Sequence, residues 1–199
     1  MNIAQVAPIS ESVPPKQYGG SERIVSYLTE ELVRLGHDVT LFASGDSTTS
    51  AVLQPVCPQA TRFEGNPFRR DAFLTLLLER AFGSDGFDVI HSHLDFLGFP
   101  FIRRTGTPIL TTVHGKLDLP ELQTVYAEYA EAPLVSISYS QRRACPDANW
   151  KTNIYHGIPH ELYGFHPGSG AYLALLGRIS PEKGPEAAIH IAARTGLPL

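Results

Sequence analysis

Histidine is the residue type with the most chemistry to offer in this sequence, which contains eight of them. His91 and His93 are two residues apart, while His114 and His156 each precede a glycine directly after a predicted strand. Ligands of an open parallel sheet bind at the carboxyl ends of its strands, so His93, His114 and His156 are the predicted substrate-binding histidines. A metal site built from His91, His93 and His114 is an alternative. However, no carboxylate or cysteine has a diagnostic metal spacing, so we expect no metal.

The loop at 14–20 is the first candidate for a ligand-binding backbone. Gly19 and Gly20 end it, directly before a predicted helix that starts at Ser21. Two glycines let a ligand approach the main chain closely, and the free amides of a helix start favour an anionic or hydroxyl-rich ligand. The loop is neither GxGxxG nor GxxxxGK[ST], so a dinucleotide cofactor is not expected. The alternative interpretation is a surface loop closed by a glycine cap.

The loop at 177–184 is the second candidate, since it lies between a predicted strand and a predicted helix. Arg178 offers a planar fork that can bind phosphate through two hydrogen bonds, and Lys183 adds a mobile charge. The following helix, which starts near Pro185, directs its positive end to the same space. This combination suits a diphosphate, above all one that gains charge as a leaving group. The alternative is a pair of solvated surface cations.

Composition excludes several classes of protein. The chain has 199 residues, with 16 Lys and Arg against 20 Asp and Glu, which gives a net charge of −4 and argues against nucleic-acid binding. No apolar stretch approaches the roughly 20 residues of a membrane span, and the N-terminus lacks a signal-peptide pattern. Cys57 and Cys145 form neither a CxxC pair nor a zinc spacing. We therefore expect a soluble cytoplasmic protein whose membrane contact is at most peripheral.

Hydrophobic periodicity predicts an α/β fold. Strands are predicted at 2–7, 38–43, 51–56, 87–91, 108–113, 134–138 and 152–156, and helices at 21–35, 69–82, 95–104, 119–131 and 140–145. The apolar face of the first helix is predicted to consist of Ile24, Leu28, Leu32 and Leu35. Because strands and helices alternate, their connections are crossovers. The expected fold is a parallel sheet with helices on both faces.

A second domain is predicted to begin near the C-terminus. The segment 157–170 is rich in Gly, Pro and His and is predicted to be a linker. A strand at 171–176 and a helix at 185–195 then restart the alternation. One strand and one helix cannot bury a core of their own. We therefore predict a first domain over 1–165 and an incomplete second domain over 171–199.

Five segments, taken together, resemble one known family. They are Tyr18-Gly19-Gly20-Ser21-Glu22-Arg23, Phe87-Asp88-Val89-Ile90-His91-Ser92-His93, Thr112-Val113-His114-Gly115, Ile154-Tyr155-His156-Gly157-Ile158-Pro159, and the loop from Gly177-Arg178 to Lys183-Gly184. In this order they resemble the family 4 (group 1) retaining glycosyltransferases. The resemblance covers nearly the whole chain.

This resemblance implies the GT-B fold, in which two Rossmann-like domains face each other across a cleft. The N-terminal domain of such an enzyme usually holds the acceptor, and the C-terminal domain holds a nucleotide-sugar. The implied donor is a UDP-, GDP- or ADP-sugar. The implied acceptor is a sugar, a lipid-linked molecule or a small molecule. Such enzymes generally need no metal or other cofactor, and retention is commonly explained by front-face attack guided by the leaving phosphate.

The resemblance also implies roles for particular residues. By matching positions, Gly19 and Gly20 would face the donor phosphates and the acceptor, and His114 would lie near the transferred sugar. Arg178 and Lys183 would bind the donor diphosphate and stabilise it as it leaves, so with His114 they are the implied catalytic residues.

The sequence departs from the family in two ways. The family has an E-x7-E segment further into its C-terminal domain, and the chain stops before any position that could match it. His156 also stands where the family often has asparagine. We therefore expect a chain truncated early in its donor-binding domain. Two alternatives stay open: a non-catalytic fragment that binds an acceptor or a partner protein, and a GT-B sugar-nucleotide epimerase.

Overall fold

A parallel sheet of seven strands organises the first part of the chain in the computed structural model. The structure describes residues 1–62 and 67–199. These residues form two compact units, Met1–Pro159 and His160–Leu199. The strands of the first unit are β1 Asn2–Val6, β2 Asp38–Ser44, β3 Val52–Cys57, β4 Val89–Ser92, β5 Ile109–Val113, β6 Leu134–Ser136 and β7 Trp150–Asn153. Its helices are α1 Gly20–Arg34, α2 Pro67–Phe82, α3 Phe99–Ile102, α4 Pro120–Glu128 and α5 Tyr139–Arg142.

The strand order is β3-β2-β1-β4-β5-β6-β7, and every neighbouring pair is parallel. The chain builds the sheet outward from β1 in one direction and then resumes on the other side of β1 with β4. Ligands of open α/β sheets bind beside such a reversal point, at the carboxyl ends of the strands. Gln5 of β1 lies opposite His91 of β4 in the ladder, so both stand at this point. The predicted Rossmann-like α/β fold is confirmed.

Both faces of the sheet are covered, because successive side chains of a strand point to opposite faces. On β2, Phe42 belongs to the apolar cluster that contains Leu77 of α2. Its neighbours Leu41 and Ala43 belong to another cluster, which contains Val25 of α1. The helices α1 and α2 therefore pack on opposite sides of the sheet.

The apolar face predicted for α1 is wrong. The structure buries a different set of α1 residues, namely Glu22, Val25, Ser26 and Thr29. Three of the large apolar residues of the prediction are only half-buried, and Leu35 is exposed. The buried face of α1 is thus largely polar, which hydrophobic spacing alone does not reveal.

The second unit, His160–Leu199, contains the helix α6 Pro185–Thr195, as predicted. Gly196 ends this helix in the left-handed conformation, with φ 67°. The predicted strand at 171–176 is wrong. The Leu173 N–H donates to the Pro198 carbonyl at 2.7 Å, but no ladder forms, because a strand needs a neighbouring strand with which to pair. No described residue of this unit is fully buried.

Within residues 1–62 and 67–199, no helix combines the length and the apolar character that a bilayer span requires.

Candidate functional site

Polar side chains occupy the centre of the sheet at the carboxyl ends of β1, β4 and β5. Gln5 is the fourth residue of β1 and is completely buried, with 0% of its surface exposed. His91 lies on β4, and His93 follows that strand with 2% exposed. His114 follows β5 directly. Two of the predicted substrate-binding histidines therefore meet at one edge, as the topology of a parallel sheet requires.

A continuous row of hydrogen bonds connects five side chains at this edge, and we refer to it as the histidine network. His114 Nε2 lies 2.9 Å from His93 Nδ1. His93 Nε2 lies 2.8 Å from Gln5 Oε1, and Gln5 Nε2 lies 3.3 Å from His91 Nδ1. His91 Nε2 lies 2.8 Å from Thr112 Oγ1. The network thus crosses three adjacent strands, or the residues that directly follow them.

The imidazole rings lie next to one another along the same edge. The ring centroids of His91 and His93 are 4.2 Å apart, and those of His93 and His114 are 5.2 Å apart. His156 extends the row, since its ring stacks on that of His114 at 5.2 Å with 22° between the planes. His156 is exposed, unlike the rings behind it. The three predicted histidines are therefore neighbours, and His156 is the outermost.

Burial keeps these histidines uncharged. Loss of solvent lowers the pKa of His91 to about 4 and is the largest cause lowering the pKa of His114 to about 3. The pKa of His93 lies well below 6.5, first because of burial and then because of the neighbouring histidines. Burial also lowers the pKa of His156. At neutral pH each ring accordingly carries one N–H and one lone pair.

Asp95 fixes the backbone that carries His114. Its carboxylate Oδ1 accepts hydrogen bonds from the backbone amides of His114 at 3.0 Å and of Gly115 at 3.2 Å. A Cβ atom on Gly115 would lie 2.9 Å from Asp95 Oδ2, so a larger residue would require the carboxylate to shift. Asp95 itself has φ 52°, a left-handed conformation that aspartate tolerates better than most residues. Burial is the main influence on its carboxyl group and raises its pKa.

One nitrogen of the network has no protein partner. His114 Nδ1 is buried and forms no hydrogen bond. The other ring nitrogens bond along the row instead of converging on one point. Within the described part of the chain, no group of three or more His, Cys, Asp or Glu side chains is arranged to hold a metal ion. The neutral imidazoles at this edge can take part in hydrogen bonding.

The two glycines before α1 have different surroundings. A Cβ atom on Gly19 would lie 2.8 Å from Pro15 Cβ and 3.0 Å from Glu22 Oε2, so Gly19 is packed inside the loop. Gly20 is the first residue of α1, and a Cβ atom there would meet nothing within 4 Å. Gly20 thus faces open space.

The two residues that are predicted to bind the donor diphosphate, Arg178 and Lys183, lie in the second unit, before α6. The Arg178 guanidinium donates a hydrogen bond to Glu182 Oε1 at 3.0 Å. The aliphatic part of Lys183 lies beside Gly177, where a Cβ atom would be 3.5 Å from Lys183 Cγ. Both cations are exposed on one short loop. Their role in binding the donor diphosphate stays a prediction.

Gln5 and Thr112 are network residues for which the sequence carried no prediction. The available signal was the position of Gln5, a polar residue between the apolar Ala4 and Val6 of β1. A buried amide needs hydrogen-bond partners, so such a residue indicates a polar site in the middle of a sheet.

Two solved structures share this architecture. The crystal structure of AviGT4, described as a glycosyltransferase involved in avilamycin A biosynthesis, is similar with a TM-score of 0.65 and 22% identity. The match covers 99% of this chain and 55% of that one. Sucrose-phosphate synthase from Thermosynechococcus elongatus matches with a TM-score of 0.58 and 14% identity, over 100% of this chain and 53% of that one. This chain therefore has a glycosyltransferase fold and spans about half the length of these relatives.

A family model identifies the chain more closely. The model of Glycosyltransferase Family 4 matches residues 18–173, which is most of the chain. The chain belongs to glycosyltransferase family 4. The comparison with curated proteins finds no match.

Proposed function

We propose that the complete protein is a retaining glycosyltransferase, and that Met1–Pro159 is its acceptor-side unit. The enzyme moves a sugar from a nucleotide-sugar to an acceptor. The observation that carries this proposal is the row of His93, His114 and His156 at the carboxyl edge of the sheet, in a chain of family 4. The histidines lie where parallel α/β sheets bind their ligands, which supports a substrate-binding role.

The chemistry of His114 supports a sugar as its ligand. Burial holds the pKa of His114 at about 3, so the ring is neutral at the pH of the cell. A neutral imidazole provides little attraction for a phosphate, whereas it forms good hydrogen bonds with hydroxyl groups. Its Nδ1 forms no hydrogen bond within the protein. We assign His114 to the transferred sugar, with His93 and His156 as further substrate-binding residues. In the loop at 14–20, Gly20 is the residue that faces open space and would meet the substrate.

Arg178 and Lys183 are assigned to the diphosphate of the donor. In the proposed reaction the acceptor hydroxyl attacks the anomeric carbon on the face from which the diphosphate leaves. The bond between that carbon and the phosphate oxygen breaks, and the leaving phosphate takes the hydroxyl proton. The products are a glycoside of unchanged configuration and a nucleoside diphosphate. Positive side chains lower the barrier because negative charge develops on the departing oxygen.

The proposal includes a UDP-, GDP- or ADP-sugar as donor, and a sugar, a lipid-linked molecule or a small molecule as acceptor. It also includes a cytoplasmic location, which the low cysteine content favours. The donor, the acceptor and the location can each be tested separately.

The test is a transfer assay with the complete protein. Each of the three labelled donor classes is incubated with a panel of acceptors, and the nucleoside diphosphate and the glycoside are measured together. We expect one donor class to give both products. NMR of the anomeric proton of the glycoside should show the same configuration as in the donor. The variant His114→Ala should lose most of the transfer.

Three results would contradict the proposal in different ways. An isomerised nucleotide-sugar formed without acceptor would identify an epimerase. Acceptor binding in calorimetry with no turnover of any donor would identify a non-catalytic binding protein. A glycoside of inverted configuration would support a glycosyltransferase but contradict the retaining mechanism.

A further inference from the structure

The histidine network contains one residue that gives it a direction. An imidazole or a hydroxyl can take either role in a hydrogen bond, whereas an amide has one oxygen that accepts and one nitrogen that donates. Gln5 is the amide of this network and stands in its middle, between His93 and His91. Its side chain is completely buried on the interior strand β1, so it has no solvent with which to exchange partners.

We propose that Gln5 is a positioning residue, which determines through His93 that the proton of neutral His114 resides on Nε2 and the lone pair on Nδ1. The tautomer itself stands on the geometry of the network. Its consequence for catalysis rests on the proposed function.

The direction follows bond by bond. Gln5 Oε1 can only accept, so His93 Nε2 at 2.8 Å carries a proton and donates it. His93 is neutral, which leaves a lone pair on its Nδ1. That lone pair faces His114 Nε2 at 2.9 Å, so His114 Nε2 carries the proton. His114 Nδ1 is thereby left with a lone pair.

The opposite end of the network agrees with this direction. Gln5 Nε2 donates to His91 Nδ1, and His91 is then protonated on Nε2, which donates to the Thr112 hydroxyl. Reversing every bond would require the Gln5 amide to face His93 with its nitrogen, whereas the structure places its oxygen there at 2.8 Å.

The consequence is a selective hydrogen-bonding position. With its lone pair on Nδ1, His114 can accept a hydrogen bond from a hydroxyl group and cannot donate one to a phosphate oxygen. The tautomer is set before substrate arrives, so no binding energy is spent on selecting it. For the proposed transferase, this means that a residue on β1, out of reach of solvent, controls how His114 meets a sugar.

The experiment reads the tautomers directly. The 199-residue chain is labelled with 15N in its histidine rings, and long-range 1H–15N spectra are recorded near pH 7.5. We expect a single tautomer for His114, with the proton on Nε2, and a 15N–15N coupling to His93 Nδ1 across the hydrogen bond. In Gln5→Met, which keeps the length of the side chain without its polar atoms, we expect this single-tautomer signature to be lost.

Thr112→Val is the matched control. It removes the far end of the network and leaves Gln5 in place, so the His114 signature should persist. Both substitutions remove a buried polar group from the same network. If Gln5 only supported the fold, the two variants should therefore affect the His114 signature alike.

Two results would overturn the inference: a proton on His114 Nδ1 in the unmodified chain, or an unchanged His114 tautomer in Gln5→Met. If Gln5→Met does not fold, the unmodified chain with 15N also in its glutamine side chains decides. A coupling between Gln5 Nε2 and His91 Nδ1 is expected there, and its absence would refute the direction. None of these readouts depends on transfer, so failure of the proposed function would be recognised separately.

Discussion

The ring of His156 lies nearly parallel to the ring of His114, with 5.2 Å between their centroids. His156 is exposed and His114 is not, so the outer ring shields part of the inner one. Burial is the main reason that the pKa of His114 is about 3, and repulsion from His156 is the next. Removal of the outer ring in His156→Ala should therefore raise the pKa of His114 from about 3 towards 6.5. An NMR titration of the His114 ring measures this change.

His156→Phe is the control for that prediction. It keeps an aromatic ring over His114 and removes only the titratable group, so the rise in the pKa of His114 should be smaller than in the alanine variant. An unchanged pKa in both variants would show that His156 does not shield His114.

Stability should fall with acidification because His91 is buried in its neutral form. The unfolded chain binds a proton on His91 below about pH 6.5, whereas the folded chain does so only near pH 4. The unfolded state therefore binds more protons in this window, and the free energy of unfolding decreases as the pH falls through it. His91 alone should contribute about 3 kcal/mol to this decrease. Denaturant unfolding at pH 7 and pH 4 measures it.

The matched variant is His91→Gln, whose amide can still donate to Thr112. Its free energy of unfolding should depend less on pH than that of the unmodified chain. Asp95 and Glu22 act in the opposite direction, because burial raises the pKa of each carboxyl group. Their effect is present in both proteins and cancels in the comparison. Equal pH dependence in the two proteins would refute the assignment to His91.

The glycines before α1 offer a paired test of packing. Gly19→Ala should destabilise the protein by about 1–3 kcal/mol, since its Cβ would overlap Pro15. Gly20→Ala should change the free energy of unfolding by less than about 1 kcal/mol, because its Cβ would meet open space. Urea unfolding compares the two. If Gly20→Ala proves as stable as expected but impairs transfer, the open space beside Gly20 receives substrate.

Asp95 should be important for stability through the backbone of His114 and Gly115. Asp95→Ala removes the acceptor of two amide hydrogen bonds and places alanine at φ 52°, so a loss of about 3 kcal/mol is expected. Asp95→Asn keeps an acceptor oxygen and a side chain that tolerates this conformation, so its loss should be clearly smaller. Thermal or urea unfolding of the two variants decides, and equal losses would contradict the role of the acceptor.

Arg178 and Lys183 should each affect transfer by the complete protein. Removal of either cation in Arg178→Ala or Lys183→Ala should lower kcat/KM about 100-fold, through weaker stabilisation of the leaving diphosphate. Glu182→Gln is the control, since it breaks the ion pair of Arg178 and keeps both cations. It should stay within a few-fold of the unmodified enzyme. Unchanged kcat/KM in both alanine variants would remove the diphosphate assignment.

The sequence predicted the parallel fold well because each strand and helix of the first unit is signalled locally. The strand predicted at 171–176 does not form, because the local signal is not sufficient there. The segment AYLALL has the composition of a strand, but a strand forms only where a partner strand is available. The buried face of α1 also depends on the surface against which the helix packs, and Ser26 and Thr29 give no apolar signal.

The site was predicted only at the level of its histidines. His93, His114 and His156 follow strands, and the topology of a parallel sheet brings such positions together. The hydrogen bonds through Gln5 could not be predicted, because they depend on the register between β1 and β4 and on side-chain directions. A shift of that register by one residue would turn Gln5 to the other face of the sheet.

Gln5 and His93 are 88 residues apart in the chain, although their side chains are in direct contact. Of the seven strands, β1 comes first along the chain but lies inside the sheet, between β2 and β4, so it acquires its second neighbour only when β4 arrives. Contacts between such distant residues form late and slow the folding reaction. Formation of the histidine network is therefore a marker of late folding, and its appearance should coincide with closure of the central pair of strands rather than with formation of the first helix.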